Sequence, residues 1–112
     1  MNIESLRMLC LSFPGATEDV KWESDLCFSV GGKMFCVTSA DVDSGASFKV
    51  LEEEFREFSH REGIIPAPYL ARYHWVYVHA FNWLSDKEWA HYIRQSYELV
   101  KDKLPKKVQE GL

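Results

Sequence analysis

Two glycines, Gly31-Gly32, are all that separates the apolar run at residues 26–30 from the next at residues 33–38. A parallel pair needs a crossover of a dozen residues or more, so these two segments can pair only antiparallel. The break at Asp41-Val42-Asp43-Ser44-Gly45 is also too short for a crossover, and it leads into a further extended segment at residues 46–50. With an earlier segment at residues 19–22, the first half of the chain reads as an antiparallel meander.

Helical periodicity flanks this meander. Ile3, Leu6, Cys10 and Phe13 recur at three and four residues behind an Asn2 cap, and Pro14-Gly15 ends the pattern. Leu51, Phe55 and Phe58 repeat at i, i+4 and i+7, with Glu52, Glu53 and Glu54 in the first turn and Gly63 beyond the last. Ser85-Asp86-Lys87-Glu88 is a capping box, and Trp89, Ile93, Val100 and Leu104 carry an apolar stripe to Pro105. Trp89 and Ile93 are therefore expected to dock the last helix on the sheet. Between these helices, after a Pro66/Pro68 loop, residues 72–81 read as a central strand. The order predicts one α+β domain over residues 1–112: a two-layer sandwich, an antiparallel β-sheet with N- and C-terminal helices packed on one face. The other face is left for a ligand.

Met1-Asn2-Ile3-Glu4 lacks the basic and apolar regions of a signal peptide, and no apolar run is long enough to span a bilayer. Cys10, Cys27 and Cys36, an odd number without a C-x-x-C pair, read as reduced buried thiols. A cytoplasmic protein without a membrane partner is expected. The formal charge of −4 divides into −6 over residues 1–62 and +2 over residues 63–112. Any surface for a polyanion must therefore be local.

The segments "LSFPGATEDVKW", "GGKMFCV", "GIIPAPYLARYHWVYV" and "SYELVKDKLPKK", in that order and spacing, resemble the MmcQ/YjbR family of small bacterial proteins. The resemblance covers nearly the whole chain. It implies a CyaY/frataxin-like fold and, by analogy of its hairpins with a "double wing", an association with DNA. It also raises iron binding by acidic ridges, here Glu18, Asp19, Glu23 and Asp25 or Glu52, Glu53, Glu54 and Glu57. The second cluster has a simpler account as a helix N-terminus with i,i+4 partners in Arg56 and Arg61, and the first lacks ordered hard-ligand spacing.

Alternation through residues 72–81 would put Tyr73, Trp75, Tyr77, His79 and Phe81 on one face and Arg72, His74, Val76, Val78 and Ala80 on the other. The aromatics are either half-buried packing, the simpler account, or a platform of Tyr73, Trp75 and Tyr77 that stacks bases. His74 and His79 then lie on opposite faces, and His60 and His91 on separate helices, so no metal site is expected. The basic candidates for a nucleic acid or other anion are Lys33 at the glycine turn, Arg72, and Lys103, Lys106 and Lys107 at the end of the last helix and beyond it. No phosphate-cradling loop, H-E-x-x-H or G-x-S-x-G pattern is present, and Cys36 sits in an apolar strand. The chain is thus expected to be no enzyme and to need no cofactor. It is expected to bind DNA or another polyanion weakly, or else to serve as a protein adaptor through its open sheet face and acidic helix.

Overall fold

The computed structural model describes residues 1–22, 24–39 and 45–112, so Glu23 and the Asp41-Val42-Asp43-Ser44 break lie outside the described residues. Helix α1 (Ile3–Leu11) starts at a reciprocal capping box, in which the Ser5 amide donates to the Asn2 side chain and the Asn2 amide donates to the Ser5 hydroxyl. The meander follows as β1 (Ala16–Lys21), β2 (Asp25–Val30), β3 (Lys33–Ser39) and β4 (Ala46–Lys49), then α2 (Glu52–Phe58). The second half supplies β5 (Ile64–Pro66), β6 (Trp75–Val78), α3 (Asp86–Lys101) and α4 (Lys106–Glu110). Every neighbouring pair in the sheet is antiparallel, in the order β1-β2-β3-β4-β6-β5.

Phe28, Cys36, Phe48 and Val76 lie abreast across four strands, and all are fully buried. The helices cover this row. Trp89 and Ile93 of α3 are both at 0% exposure, as their place on the apolar stripe predicts. The Trp89 ring meets Phe48 edge-on at 5.8 Å, and its indole N–H donates to the Phe81 carbonyl at 2.8 Å. Phe58 of α2 meets Phe48 from another side at 6.1 Å, so one strand residue is the hub of three elements. On the opposite face Val37, Ser47 and Tyr77 are only half-buried.

The sequence reading needs four corrections. The strand expected over residues 72–81 is four residues long, because His74 adopts a left-handed backbone (φ 66°) and 3-10 turns at Ala71–Tyr73 and Phe81–Trp83 bracket it. Tyr73 and Arg72 therefore leave the alternation with Trp75. Ile64–Pro66 is a strand and not a loop; Pro66 is tolerated because β5 is a sheet edge. The last long helix ends at Lys101, and Lys106 and Lys107 belong to a separate short helix behind Pro105. Arg61 pairs with Glu88 of α3 at 2.9 Å instead of with its i−4 neighbour Glu57.

Gly31 shows why the chain turns where it does. Its φ is +57°, and a Cβ there would stand 2.6 Å from the Leu104 side chain and 3.3 Å from Val108. The turn needs a glycine for conformation and for space. It thereby lets the segment after α3 close onto the β2–β3 hairpin.

Replacing Trp89 with alanine empties the centre of this layer and is expected to cost about 3–5 kcal/mol; a denaturant midpoint equal to wild type would contradict the packing. A second prediction concerns pH. The Arg7 guanidinium donates two hydrogen bonds to Glu18, at 2.6 and 2.9 Å, tying α1 to β1, and this holds the Glu18 carboxyl below its ordinary range. A carboxylate depressed on folding stabilises above the ordinary carboxylate pKa, about 4.3, and that contribution fades as pH falls through the folded value. Arg7→Leu should melt below wild type at pH 7, and the gap should narrow as pH is lowered from the ordinary carboxylate range through the depressed folded value of Glu18. A gap independent of pH would show that the ion pair is not its source.

Candidate functional site

Where β3 and β4 part, the backbone bonding passes through a helix side chain. The Lys49 amide donates to the Ser96 hydroxyl at 2.9 Å, and that hydroxyl donates to the Phe35 carbonyl at 2.6 Å. Direct register between the two strands runs only from Thr38↔Ala46 to Cys36↔Phe48. A register shift between Phe28 and Ser29 leaves Phe35 without a partner on β2, and Phe35 and Cys36 are both fully buried. Beyond it, Met34 joins a cleft of about 310 Å³ whose wall includes Lys33, Lys49, Lys103, Tyr73 and Trp75.

Each lysine arrives from a different element. Lys33 opens β3 behind the glycine turn, Lys49 ends β4 one residue beyond buried Phe48, and Lys103 sits in the turn after α3, its amide bonded to the Val100 carbonyl. Among the described residues no Asp or Glu lines the cleft. Among the described residues none of the three lysines has an ion pair, whereas Lys101 is engaged by Glu98 at 3.0 Å. Partial burial, followed by the nearby positive charge of Lys103, lowers the Lys49 pKa. Cations gathered without counter-charge are the arrangement that a bound anion relieves.

The predicted candidates separate clearly. Lys33 and Lys103 meet in the cleft, whereas Arg72 is not one of its wall residues but contacts one, its guanidinium donating to the Tyr73 hydroxyl at 2.8 Å and lying 4.8 Å over that ring. Lys106 and Lys107 are exposed on α4 and do not line the cleft. Of the three platform aromatics, Tyr73 is exposed, Trp75 is a wall residue at 5% exposure, and Tyr77 packs edge-on to His79 at 5.0 Å outside the cleft. Lys49 was the lysine that sequence reasoning missed. Its signal was its position directly after inward-facing Phe48, which puts it on the face away from the helices.

The cysteines offer no competing chemistry. All three are buried; the hydrogen-bonded Cys10 thiol, and then burial itself, push the Cys36 pKa well up. Among the described residues no three His, Cys, Asp or Glu side chains converge as metal ligands. No helix among them is long and apolar enough to cross a membrane.

An open antiparallel sheet with helices on one face and a lysine cleft at one end defines a small α+β domain with a basic site. The YjbR family model matches residues 11–99, and the chain belongs to that family. It is similar to the crystal structure of Deinococcus radiodurans protein DR2400, which carries the domain DUF419, with a TM-score of 0.88 and 27% identity over 98% of this chain and 86% of that one. A Pseudomonas syringae protein of known structure shares the fold at a TM-score of 0.72 and 21% identity, over 89% of this chain and 99% of that one. No curated protein matches the sequence.

Ser96→Ala leaves the Phe35 carbonyl and the Lys49 amide unpaired in a buried place, at about 1–3 kcal/mol for each group. Stability should fall by about 2–6 kcal/mol in all, and the Lys49 amide should exchange its hydrogen faster than its strand neighbours. Unchanged exchange at Lys49 would refute the bridge.

Proposed function

We propose that this domain is a binding module for nucleic acid, without catalysis of its own, and that it holds the phosphates in the lysine cleft. The observation that carries the reading is the convergence of Lys33, Lys49 and Lys103 on one cleft that has no acidic wall residue among the described residues. Ammonium groups suit phosphate oxygens as point charges, and contacts of this kind position a strand without reading its sequence. Binding is therefore tolerant of sequence. It is also weak, because the chain carries a net −4 and only a local patch attracts the backbone.

With three phosphates engaged, affinity should fall about fortyfold between 50 and 200 mM salt, from the counterion-release slope. The test is titration of labelled DNA at low salt with wild type, Lys33→Glu/Lys103→Glu and Lys106→Glu/Lys107→Glu. The first double variant should lose binding and the second should keep most of it. If wild type does not bind below about 100 μM, the upper end of ordinary non-specific affinity, the reading fails in favour of a protein partner on the open sheet face. Equal binding by wild type and Lys33→Glu/Lys103→Glu would remove the cleft from the interface.

A further inference from the structure

Met34 has two neighbourhoods. It lines the lysine cleft, and it also lines a larger groove of about 620 Å³ on the sheet face away from the helices, with Val37 and Ser47 beside it. Trp22, from the turn between β1 and β2, stands on one side of this groove, and Tyr69, from the connection between β5 and β6, on the other. Trp22 is 68% exposed and Tyr69 fully exposed. Scattered exposed aromatics need no explanation; two facing one groove do.

Their backbones add a second observation. Trp22 and Tyr69 have φ of 49° and 67°, and His74 is the only other non-glycine residue with positive φ among the described residues. Bulky side chains rarely occupy this region, and such conformations persist where the surroundings over-determine them. Around Tyr69 they do so. The Ala67 amide donates to the Trp75 carbonyl at 3.0 Å, and the Leu70 amide to the Ala67 carbonyl at 3.2 Å, which anchors the loop to β6 and turns the ring outward.

The geometry points to single-stranded nucleic acid as the ligand, its phosphates in the lysine cleft and its unpaired bases lying in the groove against Trp22 and Tyr69; this rests on the nucleic-acid reading above. Continuity through Met34 joins the charge to the aromatic surface. Asp25, at the groove's far side, would repel a phosphate but can accept a hydrogen bond from the exocyclic amine of a base such as cytosine. The polarity of the site therefore runs from backbone to base. A duplex hides its base faces and cannot use the groove. An extended peptide fits less well, because the groove floor is the face of β3 and β4, whose backbones are already paired, and offers no free strand edge to extend.

The experiment compares a short oligo-deoxycytidylate, an abasic oligomer of equal length and a duplex, at low salt. Trp22→Asn/Tyr69→Asn removes both rings while keeping a residue that tolerates the left-handed backbone; an unchanged thermal melt confirms the fold. Wild type should prefer the oligo-deoxycytidylate to the abasic strand by about tenfold or more, since stacking on aromatic side chains is a main source of single-strand affinity. The Asn double variant should lose that preference and bind the abasic strand as wild type does. Lys33→Glu/Lys103→Glu should weaken all three ligands. If the lysine variant loses binding while the Asn variant keeps the preference for bases, the groove inference fails and the cleft reading stands. An equal loss on oligo-deoxycytidylate and abasic strands would also overturn it, because the rings would then be acting on the fold. If wild type binds none of the three, both readings fall together.

Discussion

The architecture depends on one hydroxyl. Ser96 lies at 0% exposure on the face of α3 that meets the sheet, and its oxygen completes the ladder between β3 and β4 by taking the Lys49 amide and giving to the Phe35 carbonyl. A serine is small enough to let a helix come that close, and polar enough to satisfy two backbone groups that would otherwise be buried unpaired. With this bridge the central strands separate at one end without losing their bonding. The separated end is where Met34, Lys49 and Trp75 form the cleft, so the site is a product of how the helix docks.

Much of this was legible from local chemistry. The Asn2 and Ser85 caps, the glycine turn at Gly31-Gly32 and the stripe through Trp89 and Ile93 each act over a few residues, and the structure has helices and strands where they indicate. What failed depends on tertiary placement. Pro66 and Pro68 read as a loop, yet Pro66 ends an edge strand, and an edge leaves one row of amides without a ladder partner, where a proline removes nothing. Alternation through residues 72–81 was read as continuous, and the left-handed His74 that interrupts it leaves no mark on hydrophobic period.

The site was legible in the same proportion. Lysines clustered in the chain, Lys106 and Lys107, drew attention through adjacency, whereas the cleft is built from Lys33, Lys49 and Lys103, which adjoin only after folding. The crowded aromatic run misled in the same way. Trp75 is consumed by the wall, and the rings that line the groove on the open face are Trp22 and Tyr69, placed by turns. A lone lysine in a strand and a lone tyrosine after Pro68 look like ordinary surface until the sheet order is known.

Gly31 is in van der Waals reach of Leu104, so the hairpin that presents Lys33 is clasped to the segment that presents Lys103. Lys33 and Lys103 lie 70 positions apart in the chain, and contacts so distant in sequence close only after large loops have been ordered. A partly folded chain therefore has no cleft. An anion held there binds the native state alone, and mass action then makes its occupancy a brake on global unfolding that deepens with ligand concentration. The cleft and the fold therefore form together.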